Sequence, residues 1–71
     1  MTRRFEFVGG SSAKFWEIDC QAKDVTVRYG RLGTTGQSQT KSFATPDAAQ
    51  RHAEKLIHQK QTKGYVECAP A

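Results

Sequence analysis

The spacing of apolar residues changes once along this chain, and that change limits the folds open to it. Up to about residue 43, apolar side chains recur at every second position, as in strands that bury one face. After Thr45 they recur at every third or fourth position, as on one face of a helix. A chain of 71 residues has apolar side chains for a single core. The pattern predicts an α+β domain in which one C-terminal helix covers a small antiparallel sheet.

Four strand-like segments come first, over residues 3–8, 14–20, 25–29 and 37–43. A Gly/Ser loop, a polar turn and a longer turn over residues 30–36 separate them, and these short connections predict a meander. In the second segment the alternation places Trp16, Ile18 and Cys20 on one face and Phe15, Glu17 and Asp19 on the other. Near the C-terminus, Tyr65 and Val66 either form a short edge strand or pack back on the helix end.

The helix has clear start and stop signals. Thr45 suits the N-cap, Pro46 suits the first helical position, and Asp47 suits the positive end of the helix dipole. Gly64 provides a C-terminal cap after Lys63. The core-facing stripe contains four apolar residues, Ala49, Ala53, Leu56 and Ile57. We therefore expect one domain over residues 3–67 and a tail over 68–71.

The composition favours a binding module over an enzyme. Eleven Lys and Arg against seven Asp and Glu give a formal charge of +4, which attracts polyanions, although a solvated basic surface has the same composition. A core this small leaves little room for a deep cleft, and no catalytic motif is present. His52 and His58 point in different directions on the helix and cannot share a metal ion. We expect no cofactor and no metal.

The two cysteines, Cys20 and Cys68, form neither a Cys-x-x-Cys pair nor a dense disulfide framework. This spacing is typical of free thiols in a reducing compartment. The sequence also has no apolar run of the length that a signal peptide or a bilayer span needs. We expect a cytoplasmic protein without membrane contact, with the monomer as the favoured state.

The segment over residues 25–46 contains no acidic residue but has Arg28, Arg31 and Lys41 among its basic ones. Tyr29 and Gly30 lie between the two arginines. An aromatic ring and arginines beside a flexible glycine turn suit contact with phosphate and sugar. In the alternative interpretation, Tyr29 closes the edge of the core and Arg31 pairs with a carboxylate across the sheet.

One stretch, RYGRLGTTGQ over residues 28–37, resembles the signature of the WGR domain family. In that signature an aromatic residue, Gly and Arg follow a strand and lead through a glycine turn into a strand rich in Gln, Ser and Thr. The aromatic pair in KFWEI (residues 14–18) and the helix ending in KQTKGY (residues 60–65) resemble the family's flanking elements. The resemblance extends over residues 3 to 67 and implies an antiparallel sheet covered by one helix.

The resemblance also implies a role. The family is known from poly(ADP-ribose) polymerases that sense DNA breaks, where the domain binds near DNA ends and relays binding to neighbouring domains. It implies that Tyr29 packs on DNA sugar and that Arg31 makes polar contacts with backbone or neighbouring domains. Tyr29 stands where the family has its name-giving Trp, so the stacking area is smaller. We expect a stand-alone, bacterial-type version that completes no such relay within this chain.

Two functional hypotheses follow. In the first, the chain binds nucleic acid, DNA backbone or ends and nicks, through Arg28, Tyr29, Gly30, Arg31 and Lys41. In the second, the same turn or an exposed sheet edge binds a protein partner or a second copy of the chain.

Overall fold

The computed structural model describes residues 2–68 as a five-stranded sheet with one helix packed on it. The elements are, in chain order, β1 (Thr2–Gly9), β2 (Ser12–Gln21), β3 (Asp24–Arg31), β4 (Gln37–Ser42), α1 (Pro46–Thr62) and β5 (Val66–Cys68). The strand order across the sheet is β4-β3-β2-β1-β5, and every neighbouring pair is antiparallel. The first four strands form the predicted meander, and α1 carries the chain back to the opposite edge, where β5 pairs with β1. The α+β prediction is confirmed.

Two features at strand ends differ from the sequence-based expectation. Gly30 and Arg31 were predicted to start a turn, but both continue β3, opposite Phe15 and Lys14 of β2. The prediction was wrong because β2 is long enough to pair with them. At the C-terminus, β5 includes Cys68, which was expected in the tail, and residues 69–71 of that tail lie outside the described residues.

The helix begins and ends as its sequence predicts. The Thr45 side chain accepts a hydrogen bond from the backbone N–H of Ala48 at 3.1 Å, and Pro46 occupies the first turn. At the other end, the backbone N–H of Tyr65 donates to the carbonyl oxygen of Lys60 at 3.0 Å, which satisfies one of the last helical carbonyls. The chain then enters β5 directly.

The main core lies between α1 and what we call the helix-side face of the sheet. Phe5 of β1 meets the indole of Trp16 of β2, with ring centroids 5.5 Å apart. Small residues on α1 let the helix approach these rings. The buried members of this core are Phe5, Trp16, Ile18, Val25, Ala49, Ala53 and Ile57.

A second buried ring lies on the opposite face of the sheet, which we call the open face because no helix covers it. Phe15 is only 1% exposed, although it points away from α1. The loop after β3 folds back over this ring. A Cβ atom added at Gly36 would lie 2.8 Å from Cζ of Phe15 and would collide with the carbonyl oxygen of Tyr29. A Cβ at Gly30 would lie 2.8 Å from the Cα of Gly36, so the glycines let the loop close over Phe15.

This packing predicts unequal effects for two alanine substitutions in the same loop. Both Gly36 and Gly33 have positive φ, +69° and +88°, so Ala at either position costs about 1–2 kcal/mol of backbone strain. A Cβ at Gly33 meets no atom within 4 Å, whereas one at Gly36 displaces Phe15. We expect Gly36→Ala to lower the free energy of unfolding by at least about 1 kcal/mol more than Gly33→Ala does. Urea unfolding measures both, and equal losses would contradict this packing.

Candidate functional site

The residues predicted to bind a partner divide between the two faces of β3. Side chains alternate along a strand, so Tyr29 and Arg31 lie on the helix-side face, while Arg28 and Gly30 lie on the open face. Lys41 of β4 is opposite Val25 and so shares the helix-side face. The structure therefore brings Tyr29, Arg31 and Lys41 to one side of the sheet and places Arg28 on the other.

Arg28 is part of an ion-pair cluster on the open face. Its Nε donates to Oε1 of Glu17 at 3.0 Å, and its Nη1 donates to the carbonyl oxygen of Thr35 at 3.3 Å. Arg4 of β1 donates to the other carboxylate oxygen of Glu17 at 2.6 Å. The two guanidinium carbons lie 4.7 Å (Arg4) and 5.2 Å (Arg28) from the centroid of Phe15, within range of a cation–π interaction. Arg28 thus helps to cover Phe15.

Glu17 holds this cluster together. Burial acts to raise the pKa of its carboxyl group, but the hydrogen bonds from Arg4 and Arg28 outweigh burial, and the net pKa lies below its ordinary value. The carboxylate is therefore ionised at neutral pH and shared between two cations.

At one end of the sheet, the helix-side face carries positive charges that are not paired with a carboxylate. Lys14 of β2 lies directly opposite Arg31 of β3, and Lys60 and Lys63 at the end of α1 lie beside Lys14. We call these four residues the lysine–arginine cluster. Like charges directly opposite each other in a sheet are destabilising, by roughly 0.2–1 kcal/mol. The alternative role of Arg31, an ion pair across the sheet, requires a carboxylate opposite it. The residue there is a lysine, Lys14.

Lys60 lies close to two aromatic rings and to other cations of the cluster. Its Nζ lies 5.6 Å from the ring centroid of Trp16 and 5.3 Å from that of Tyr65, so its side chain runs along aromatic rings. Burial lowers the pKa of the Lys60 amine, and the neighbouring charges of Lys63 and Lys14 lower it further. The negative end of the helix dipole offsets part of this repulsion.

Four carboxylates within residues 2–68 form ion pairs with cations outside the lysine–arginine cluster. Glu6 and Glu17 pair with arginines on the open face, Glu67 pairs with Arg3, and Asp47 pairs with Arg51. None of the concave regions around the cluster has a carboxylate in its lining. In the part of the chain that the structure describes, the cluster is thus a cationic surface that no carboxylate pairs with.

Sequence reasoning missed three members of this cluster. Lys14, Lys60 and Lys63 come from two elements outside the acid-free segment over residues 25–46. The available signal was the absence of acids over residues 55–66, which was not considered in the sequence, where Lys63 was assigned only to the end of the helix. Tyr29 was predicted to contact a partner, with closure of the core edge as the alternative, and in the structure its half-buried ring packs against the core. Its hydroxyl also accepts a long hydrogen bond, 3.4 Å, from the amide of Gln39.

The structure also locates the two cysteines and one of the histidines considered in the sequence. Cys20 lies on the helix-side face and Cys68 on the open face, both as free thiols. His52 stacks on Phe43, with ring centroids 4.8 Å apart. Within residues 2–68, no three His, Cys, Asp or Glu side chains come close enough to hold a metal ion. The described helix is too short and too polar to cross a membrane.

Comparison with known proteins assigns a family to this arrangement. The family model described as WGR domain matches residues 1–71. The chain is 40% identical over 67 residues to YfeS, an uncharacterized protein of Escherichia coli K12, and 42% identical over 67 residues to the protein YehF of the same strain. These matches include 94% of this chain but only 28% of YfeS and 24% of YehF.

A solved structure has the same fold. The crystal structure of a Bacteroides fragilis protein superimposes with a TM-score of 0.95 at 49% identity, covering 97% of this chain and 20% of that one. The chain thus spans about a quarter or less of the length of the relatives it matches.

The ion-pair cluster on the open face predicts a pH-dependent stability. Because the folded-state pKa of Glu17 lies below its ordinary value of 4.5, its contribution is present above that pH and is lost as pH falls through the folded-state pKa. We expect Glu17→Gln to lower the free energy of unfolding by about 1–3 kcal/mol at pH 7, since the amide offers the two arginines one neutral oxygen in place of a charged carboxylate with two. The deficit should shrink at pH 3, because below pH 4.5 the unfolded wild-type chain takes up a proton at Glu17 and the advantage of the folded carboxylate falls.

Urea unfolding at the two pH values measures this change. Glu54→Gln is the matched control, because Glu54 is exposed on α1 and acts on Arg3 only through space. We expect it to have little effect at either pH. A Glu17→Gln deficit of the same size at pH 7 and pH 3 would show that the charge of Glu17 is not the cause.

Proposed function

Since this chain belongs to the WGR domain family, we propose that it is a non-enzymatic binding module that holds nucleic acid on the lysine–arginine cluster and Tyr29. The phosphates of the DNA backbone or of a DNA end lie against Lys14, Arg31, Lys60 and Lys63. Tyr29 offers its ring to the sugar or base beside them. The proposal keeps the predicted Tyr29 and Arg31, adds three lysines, and gives Arg28 and Gly30 structural roles.

The observation that carries the proposal is the pairing of Lys14 with Arg31. Their side chains lie on the same face of neighbouring strands, and no carboxylate within residues 2–68 forms an ion pair with either of them. An arrangement of this kind costs stability in the free protein. A bound phosphate accepts hydrogen bonds from both cations and screens the repulsion between them. The repulsion that destabilises the free protein therefore favours binding of the phosphate.

Tyr29 extends the cationic surface with an aromatic one. The ring lines the concave region that also contains Lys14, Arg31, Lys60 and Tyr65. Aromatic rings beside cations suit nucleic acid, because bases and sugars pack on the ring while phosphates meet the charges. The smaller ring of Tyr, in place of the family's Trp, reduces this stacking area but keeps its position.

The proposal places the protein in the cytoplasm and assigns it no catalytic step. The described ionisable side chains serve in ion pairs, in the lysine–arginine cluster or on the surface, and they do not converge with a nucleophile in a deep cleft. Nucleic acid in the cytoplasm is the polyanion that a small basic module of this type meets.

Salt dependence and one substitution test the proposal. We expect the affinity for a short nicked DNA duplex to fall steeply with salt, because cations released from DNA drive the binding. Arg31→Ala should weaken binding about tenfold, the effect of one lost charge-assisted contact, and should reduce the steepness of the salt dependence by about one unit of log–log slope. Fluorescence anisotropy of labelled DNA measures both.

Arg51→Ala is the matched control, because it removes the same charge from an exposed position that pairs with Asp47. It should leave the slope unchanged. Lack of binding to nicked, blunt or single-stranded DNA at low salt would overturn the proposed function, as would equal losses from both substitutions.

The edge strand β4 favours a second candidate, association with another protein strand. All six of its residues are exposed, Lys41 is its one charged residue, and its outer side pairs with no strand within residues 2–68. Such an edge can accept a strand from a second copy or a partner. In that case sedimentation shows association that increases with concentration and that Ser38→Lys weakens. A strict monomer at high concentration removes the self-association form of this candidate.

A further inference from the structure

A concave groove lies next to the lysine–arginine cluster, between α1 and β4. The helix packs chiefly on β2 and β3, so the helix-side face of β4 remains uncovered. The groove has a volume of about 390 Å³, within the range of about 300–1,000 Å³ that small-molecule sites occupy. Its lining consists of Trp16, Val25, Val27, Tyr29, Gln39, Thr40, Lys41, His52, Leu56 and Lys60.

The lining combines an apolar floor with a cationic rim. Trp16, Val27 and Leu56 contribute carbon surface, and the half-buried ring of Tyr29 forms part of the wall. Gln39 presents an amide beside the hydroxyl of Tyr29. Lys41 and Lys60 carry the charge, and the lining contains no carboxylate. A ligand that matches this surface is flat and apolar in its middle and anionic at its edges.

We infer that the groove holds one unpaired nucleobase of a bound polynucleotide. The chain then prefers single-stranded segments, and this inference rests on the proposed function. The base packs against Tyr29 and the apolar floor, and the amide of Gln39 meets its polar edge. The flanking phosphates reach Lys41 on one side and Lys60, with the rest of the lysine–arginine cluster, on the other. Bases inside a duplex are paired and stacked, and withdrawing one costs several-fold in affinity or more.

Three DNA probes of similar total charge test the inference with the wild-type chain. The first is a single-stranded oligonucleotide, the second has the same length with abasic residues at its centre, and the third is a hairpin whose paired stem is closed by a linker without bases. We expect the first to bind about tenfold more tightly than the second, since base stacking on aromatic residues supplies a gain of this order. Binding that is equal for the first two probes, or tighter for the hairpin than for the single strand, would overturn the inference.

Two tryptophan substitutions in β4 locate the effect. Gln39→Trp fills the groove from the helix-side face, whereas Ser38→Trp adds the same side chain to the open face of the same strand. Both positions are exposed, and thermal unfolding checks that both variants fold. Gln39→Trp should remove the preference for the base-containing strand, and Ser38→Trp should retain it. Loss of the preference in both variants, or in neither, would contradict the groove as the site.

The outcomes separate the two proposals. Salt-dependent binding that Arg31→Ala weakens, with no preference for unpaired bases, would leave the proposed function standing and remove the groove. If none of the three probes binds at low salt, both proposals fail together.

Discussion

The rest of the structure depends on the need to bury two large adjacent side chains on opposite faces of the central strand. Phe15 and Trp16 of β2 are 1% and 3% exposed, and they point to opposite sides. One helix covers Trp16, and the chain has no second helix within residues 2–68 for Phe15. The cover for Phe15 is instead a loop that leaves no room for a Cβ atom between Gly36 and the ring, together with the guanidinium groups of two arginines. Two glycines of the signature, Gly30 and Gly36, are therefore a packing requirement.

Covering Phe15 with arginines also determines where the remaining charge lies. On the open face, Arg4 and Arg28 pair with Glu17, and Arg4 also pairs with Glu6, at 2.6 to 3.1 Å. Arg3 engages Glu67 at the β5 edge in a similar way. Carboxylates used there are not available near the end of α1, where Lys14, Arg31, Lys60 and Lys63 lie. The basic surface is thus concentrated at one end of the helix-side face.

Much of the fold could be predicted from the sequence, because alternation and helix capping are local. The core-facing stripe of α1, the N-cap at Thr45 and the faces of Phe15 and Trp16 all follow from residue spacing. The candidate site was harder to predict, because its members come from distant segments. Lys14 meets Arg31 through the register of β2 on β3, and Lys60 joins them through the return of α1. The pairing of Arg28 with Glu17 depends on the same register, which a reading of the acid-free segment alone does not contain.

Because side chains alternate along β3, neighbouring residues of the signature around Tyr29 have different roles. Positions 28 and 30 face the open side, where Arg28 lies over Phe15 and Gly30 admits the loop. Positions 29 and 31 face the helix side, where Tyr29 borders the groove and Arg31 opposes Lys14. One strand thus supports the loop with one face and presents an aromatic ring and a cation with the other. Changes at positions 28 and 30 act first on folding, whereas changes at Arg31 act first on whatever anion the surface holds, because the only described residue opposite it is another cation.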